Sequence, residues 1–257
     1  MTAGRCRAKL KPMERWLRVV EAFAEKGEWG VRDLTAAIHL PRSAVHRILH
    51  EMHGYGLLTA AERPGRFVSG PSLVRIASLL LDGLDVTRRA RAVLEETARV
   101  AGETVMLTLY DPGRRQFFAV DAVESTQTVR YIWRSLREWS DLHLGSSGKG
   151  ILAFLPEAEQ NAVLAALPDR VPGLKPISKA QLRQQLKQAR RRGYVLSHGE
   201  RFPGAVGASA PVYNPVRVIG DLIITWPDNR NRGREKELAA LATDSAARLS
   251  ASLGYRR

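Results

Sequence analysis

The sequence predicts an α+β protein with an N-terminal winged helix-turn-helix and a C-terminal domain built on an antiparallel sheet. Two changes of pattern carry this reading. Residues 12–70 hold three helix-periodic segments followed by two short strand-like runs around a turn. From Glu103 onward the period shifts to two, with hairpins early, helices in the middle and strands again late. The length of 257 residues allows one large domain or two modest ones, and it is ample for a packed core. Four segments follow: a basic mobile arm (1–11), the winged domain (12–70), linker helices (71–100) and a larger C-terminal domain (101–257).

The arm holds Arg5, Arg7, Lys9 and Lys11 and no acid. Pro12 suits a helix start, and Met13, Leu17, Val20 and Ala24 recur at helical spacing, flanked by Trp16 and Phe23. Gly27 and Gly30 break that pattern, and Val31 to Ile38 makes a second short helix. After Pro41 a third helix runs from Arg42 to about His53, stopped by Gly54 and Gly56. At 100° per residue, Val45, Ile48, Leu49 and Met52 share its core side, and Ser43, His46, Arg47 and His50 lie opposite. Leu57 to Ala61 and Arg66 to Ser69 flank the turn Arg63-Pro64-Gly65 as two short strands. Three helices and a hairpin are the plan of a winged helix-turn-helix.

Pro71 to Asp82 is an apolar helix with Gly83 as its stop, and Asp85 to Val100 follows with Arg88, Arg89 and Arg91. In the C-terminal domain, Thr104 to Tyr110 and Gln116 to Val123 flank Asp111-Pro112-Gly113, a hairpin signal. Val129 to Trp133 is a further candidate strand. Gly150 to Leu155, Glu157 to Leu167 and Lys179 to Arg192 are expected helices. Gly193 to Ser197, Ala208 to Val212 and Val218 to Thr225 are expected strands, and Gly233 to Leu253 is a closing helix.

Composition narrows the function classes. With 44% hydrophobic and 26% charged residues the chain reads as globular, not disordered. The lone cysteine, Cys6, leaves no internal disulfide and no cysteine-rich metal site, which suits a cytoplasmic location. No apolar run is long enough to span a bilayer, and the first residues lack the apolar stretch of a secretory signal. The net charge of +14 points to a polyanionic partner, nucleic acid before an anionic membrane surface. Its distribution weakens that pointer. The arm contributes +4, residues 12–70 only +1, and the remaining +9 lies beyond, notably at Arg88–Arg91 and Arg183–Arg192.

The third helix carries the sharper signal. A helix in the major groove reads base edges with side chains near its N-terminal end, and Arg bonds guanine bidentately. Arg42, Ser43, His46, Arg47 and His50 supply that chemistry on one exposed face, against the plainer reading of a solvated helix surface. His46, His50 and His53 also fall at metal-ligand spacing. A zinc motif of the H-E-x-x-H kind needs glutamate where Arg47 stands, so no metal is expected.

Ser146 to Gly150 admits three readings. As a phosphate-binding loop it fails, because the required glycine is His143 and the required Ser or Thr is Gly150. As an S-x-x-K acyl-transfer motif it lacks the partner motifs. As a small-residue loop opening a helix, its backbone N–H groups can hold a ligand's carboxylate, with a purely structural cap by Ser146 or Ser147 as the alternative. Two further alternatives stay open for the whole chain. One is an enzyme built around Ser146 and Lys149. The other is a structural protein binding nucleic acid without regard to sequence, with binding that falls steeply with salt.

The run Leu40-Pro41-Arg42-Ser43-Ala44-Val45-His46-Arg47-Ile48-Leu49, continued by Tyr55-Gly56-Leu57-Leu58, resembles the recognition helix of the IclR family of bacterial transcriptional regulators. Three C-terminal blocks extend the resemblance: Gly102-Glu103-Thr104-Val105; Leu142-His143 with Gly148 to Pro156; and Gly193-Tyr194, Pro203-Gly204 and Ala208 to Val212. The resemblance covers about Met13 to Leu253. It implies a winged helix-turn-helix joined by a linker helix to a GAF-like effector domain, in a homodimer or homotetramer that binds operator DNA and a small organic acid. No catalytic residue and no cofactor are expected.

Carried over residue by residue, the resemblance implies DNA contacts by Ser43, His46 and Arg47 near the start at Arg42, and by Arg63 and Arg66 of the wing. It implies an effector pocket lined by Val129 and Ile132, Ser146 and Ser147, Ser197, Gly207, Ile223 and Thr225. Three departures stand out. His143 is followed by Leu144-Gly145-Ser146-Ser147 in place of H-A-T-A-x-G-K. Ser197 and His198 replace acidic residues. Ile223-Ile224-Thr225-Trp226-Pro227 replaces S-x-S-G-P. A pocket that loses an acid and gains Ile223 and Trp226, with Trp133 and Trp139 as further candidates, is expected to prefer an apolar or aromatic acid.

Overall fold

The computed structural model describes residues 11–83, 85–130, 138–173, 176–230 and 233–256. The chain divides into two compact units, Met1–Gly83 and Leu84–Arg257.

The first unit runs α1 (Pro12–Glu25), β1 (Glu28–Gly30), α2 (Val31–Ile38), α3 (Arg42–Gly54), β2 (Leu58–Ala60), β3 (Arg66–Ser69) and α4 (Pro71–Gly83). Val19, Phe23, Leu34, Leu40, Val45, Ile48, Leu49, Met52 and Leu58 form its core. The core side of α3 is the one its spacing predicts. On α1 the expected stripe is displaced. Trp16, Val19, Val20 and Phe23 pack inward, because the stripe with the larger rings buries more apolar surface. Met13 is left 79% exposed. His39 turns the chain between α2 and α3 in the left-handed conformation at φ 54°. The sheet order is β1-β3-β2, so the expected hairpin gains a third strand from Glu28–Gly30. Gly27 before it and Gly30 within it interrupt the pattern that would mark this strand in the sequence.

The second unit runs α5 (Asp85–Ala101), β4 (Thr104–Asp111), β5 (Gln116–Val123), β6 (Ser140–Asp141), α6 (Gly145–Leu152), α7 (Glu157–Ala166), β7 (Arg170–Val171), β8 (Ile177–Ser178), α8 (Lys179–Arg192), β9 (Val195–His198), β10 (Ala205–Tyr213), β11 (Val218–Pro227) and α9 (Glu235–Ser252). Six strands form an antiparallel sheet in the order β6-β5-β4-β11-β10-β9. Strand alternation sorts side chains between two layers. Leu222, Ile224 and Trp226 of β11 and Val206, Ala208 and Ala210 of β10 face α5 and α9. Thr97 Oγ1 bonds Ser245 Oγ at 2.8 Å between those two helices. The opposite face carries Gly207, Ser209, Asp221, Ile223 and Thr225 beneath α6. A second core holds Phe117, Leu142, Ile151, Leu152, Leu164, Leu182 and Leu186.

The main departure from expectation is the start of α6. Ser146 to Gly150 was expected as a loop before a helix at Gly150, since glycine costs about 1 kcal/mol in a helix interior. Instead the helix begins at Gly145, and every residue from there to Leu152 is buried. Close packing is the reason. A Cβ on Gly148 would stand 2.8 Å from the carbonyl oxygens of Asp141 and Leu142, and one on Gly150 would overlap Ser209 Oγ. Tertiary contact therefore overrides helix propensity. The expected strand from Val129 fails over its described part, where Val129 and Arg130 lie in a loop; Tyr131 to Trp133 lie outside the described residues.

The glycine argument gives a direct test. Gly148→Ala should destabilise the protein by about 1–3 kcal/mol in urea unfolding, whereas Gly27→Ala, whose added Cβ meets nothing within 4 Å, should change stability by less than about 0.5 kcal/mol.

Candidate functional site

On α3, Arg42, Ser43, His46, Arg47 and His50 are all exposed, opposite buried Val45, Ile48, Leu49 and Met52. The His46 and His50 rings lie 4.2 Å apart, and His50 and His53 meet the edge of Phe67 from β3 at 5.9 and 5.8 Å. Among the described residues Arg47 has only a long, exposed pair with Glu51 at 3.8 Å, which water screens and a phosphate or base can displace. Arg63 sits exposed at the tip of the β2–β3 hairpin.

Arg66 stands apart from this group. Its guanidinium makes an ion pair with Glu28 at 2.5 Å and donates from Nη1 to Asp33 at 2.8 Å, joining β3 to β1 and α2. The sequence expectation has it reaching toward DNA; in the structure its guanidinium lies against these two carboxylates within the wing.

The second unit holds a narrow cavity of about 40 Å³ between the first turn of α6 and the sheet. Six of the eight expected effector residues line it: Ser146, Ser147, Ser197, Gly207, Ile223 and Thr225. Gly207 has no room for a side chain, since a Cβ there would overlap Ser146 Oγ. Val129 does not line the cavity. It is 62% exposed, and its carbonyl oxygen accepts from Arg230 Nη1 at 2.7 Å. Ile132 and Trp133 lie outside the described residues. Trp226 is buried on the α5–α9 side of the sheet, as strand alternation requires, and Trp139 packs on Phe118 and Arg114. Neither tryptophan reaches the cavity.

Sequence reasoning missed Glu200, Arg201 and Phe202, which complete the lining from the loop between β9 and β10. Nothing periodic marks a loop; only the change of charge in Gly199-Glu200-Arg201-Phe202 could have flagged it. The Arg201 guanidinium lies 5.8 Å from the centre of Phe117 and 5.3 Å from that of Phe202, and Nη2 donates to Ser140 Oγ at 2.8 Å. A Cβ added to Gly145 would stand 3.5 Å from the Arg201 Cβ. Arg201 and the first turn of α6, which no side chain caps, thus line the same cavity. Both features favour an anion.

Lys149 is buried, and its Nζ donates to Glu200 at 2.6 Å and Gln185 at 3.1 Å. Its ammonium group is thus engaged by Glu200 and Gln185, and no bond joins it to Ser146 among the described residues. A neighbouring cavity of about 270 Å³ shares Leu144, Ser197 and Glu200 with the first and adds His143, Val171, Ile177 and Leu196. Burial holds the His143 pKa below its ordinary value, and its Nε2 bonds nothing.

Beneath α6, Asp221 is fully buried. Desolvation pushes its pKa up to about 6 against the hydroxyls of Thr108, Ser147 and Ser209, which pull it down.

Comparison with known proteins finds a family model for each of the two domains. A family model described as the IclR helix-turn-helix domain matches residues 13–62, and one described as bacterial transcriptional regulator IclR C-terminal matches residues 78–251. The HTH-type transcriptional regulator KipR of Bacillus subtilis is 27% identical over 252 residues, spanning 96% of this chain and 98% of its own. Among solved structures, an IclR transcriptional regulator from Alicyclobacillus acidocaldarius superposes with a TM-score of 0.84 at 21% identity, over 96% of this chain and 100% of its own. An IclR homolog from Microbacterium hydrocarbonoxydans, complexed with 4-hydroxybenzoate, superposes at 0.79 and 23% identity, over 95% and 99%. At such identities the structural likeness speaks for the fold.

Asp221 gives this site a measurable pH signature. Its folded pKa lies above the ordinary 3.8, so the folded state binds the proton more tightly and loses stability as pH rises from about 4 through 6. Asp221→Asn should therefore raise stability at pH 7–8 by roughly 3 kcal/mol at most, at about 1.4 kcal/mol per pKa unit. The gain should close below about pH 4. Urea unfolding of both proteins across that range checks it; parallel pH profiles would contradict the assignment.

Proposed function

Because the chain belongs to the IclR family of bacterial transcriptional regulators, we propose that α3 enters the major groove of operator DNA and that the α6 cavity receives a small organic acid. The observation carrying the first part is the clean division of α3. Arg42, Ser43, His46, Arg47 and His50 are exposed as one face, and the hydrophobic positions are buried as the other. Arg63 at the hairpin tip reaches the phosphate backbone, while Arg66 supports the wing from within.

The acid's carboxylate would rest between Arg201 and the first turn of α6. That cavity, of about 40 Å³, is the smaller of the two. The body of an apolar or aromatic acid would lie toward the neighbouring cavity of about 270 Å³, walled by Leu144, Val171, Ile177 and Leu196. The 4-hydroxybenzoate bound by the Microbacterium homolog is an acid of this class and supports the reading.

A second copy of the chain completes the proposal. Along α4, Val74, Ile76, Leu79 and Leu80 are exposed, the last by 66%, which is an unusual concentration of apolar surface for one helix. Paired α4 helices would bury it in a homodimer and set two α3 helices on a palindrome, with half-sites about one helical turn or a multiple apart. The connection from α4 to α5 would carry the effector's influence to the DNA-binding unit.

The experiment that tests the DNA reading is fluorescence anisotropy on DNA flanking the protein's own gene. Arg47→Ala should weaken specific binding by about 1–3 kcal/mol and leave the melting temperature unchanged. Operator affinity equal to that of the parent protein would remove Arg47 from the readout.

A further inference from the structure

A third cavity, of about 220 Å³, lies between α6, α8 and the start of β9, and acid binding at Arg201 leaves it unused. Lys149, Gln185, Gln188, Arg192, Tyr194 and Glu200 line it. Lys149 and Arg192 border neither of the two cavities described above, whereas Glu200 stands at the boundary of all three.

Hydrogen-bonding capacity shows what this cavity lacks. The Lys149 side chain is only 5% exposed, and an ammonium has three N–H groups and accepts nothing. Two of them go to Glu200 Oε1 at 2.6 Å and Gln185 Oε1 at 3.1 Å. The third has no partner among the described residues. Because the ammonium must face an oxygen, it also fixes the Gln185 amide, whose own N–H groups donate to no described residue. The Arg192 guanidinium likewise bonds no described residue. Donors therefore outnumber acceptors around the cavity, and Glu200 is the one carboxylate in its wall.

Charge sets the class of ligand. Two cations and one carboxylate leave the wall with a single positive charge. The C-terminal turn of α8 carries Arg190, Arg191 and Arg192, which more than offset the charge of about half an electron at that helix end. One carboxylate balances the wall, whereas a doubly charged phosphate would put excess charge beside Glu200. Gln188, Tyr194 and the second oxygen of Glu200 offer hydrogen bonds to hydroxyl groups and little contact to hydrocarbon.

We propose that this cavity is a second ligand site, which takes a small hydroxylated monocarboxylic acid with its carboxylate between Lys149 and Arg192. The ligand completes the hydrogen bonding of a buried ammonium that the chain alone leaves one acceptor short. Charge-assisted bonds of this kind are the strong ones, so the carboxylate supplies most of the affinity and the hydroxyl groups the selectivity. The site is independent of the acid site at Arg201, which neither Lys149 nor Arg192 lines.

Isothermal calorimetry on the full chain tests this with lactate and glycerate against butyrate and inorganic phosphate. The parent protein should bind a hydroxy acid more tightly than either butyrate or phosphate. Arg192→Gln should weaken that binding by about tenfold or more. Arg192 is exposed and bonds no described residue, so the variant keeps the fold. Arg201→Met should leave hydroxy-acid affinity within about twofold, since that side chain belongs to the other cavity. Four results would overturn the inference: no hydroxy acid binds, butyrate or phosphate binds better, affinity survives Arg192→Gln, or affinity is lost in Arg201→Met. The last would place the acid in the α6 cavity. The effector reading is judged separately, by aromatic acids whose binding Arg201→Met removes and Arg192→Gln spares.

Discussion

The close seating of α6 on the sheet is the constraint on which the rest of the second unit depends. Gly148 brings the helix against the carbonyl oxygens of Asp141 and Leu142, Gly150 admits the Ser209 hydroxyl, and Gly207 admits that of Ser146. Each glycine removes a Cβ that would lift the helix away, at the expense of helix propensity. With the helix so placed, its uncapped first turn reaches the edge of β10 and β11. The gap that remains there is the cavity. A looser helix would need fewer glycines but would leave neither a buried aspartate nor a narrow cavity.

Charge is distributed around that contact by pairing, not by excess. Lys149 is neutralised by Glu200 within the buried layer, and Arg230 makes two 2.6 Å bonds to buried Glu103 while holding the Val129 carbonyl. Fully buried charges left unpaired would cost several kcal/mol each, so these pairs serve to place the loops around the cavity. Arg201 remains at the cavity itself, held between two aromatic rings. Asp221 lies one layer deeper, with hydroxyls for neighbours.

Much of the fold was legible in the sequence because it depends on local periodicity. The core side of α3, the strands β4 and β5 and the whole of α8 follow from hydrophobic spacing, turn residues and helix stops. The positions that escaped depend on tertiary contact. Ser146 to Gly150 reads as a loop until the carbonyl oxygens and serines beneath it are seen. Trp226 reads as a pocket residue until alternation from Ile223 and Thr225 places it on the other face. Arg66 reads as a DNA contact until Glu28 and Asp33 are found beside it, 38 and 33 residues away in the chain. Arg201 and Phe202 carry no pattern because a loop imposes none. Six cavity residues were nonetheless named from the family resemblance, which carries tertiary information that periodicity lacks.

The central claim is that an acid at the α6 cavity alters DNA binding at α3. An effector shifts such an equilibrium only by binding the two states of the protein unequally, so occupancy and operator affinity must change together. The most direct measurement is operator anisotropy with and without a saturating aromatic acid, for the parent protein and for Arg201→Met. The account predicts that the acid changes operator affinity of the parent protein, and that Arg201→Met keeps the basal affinity and loses the response. A variant that responds to the acid as the parent does would contradict it.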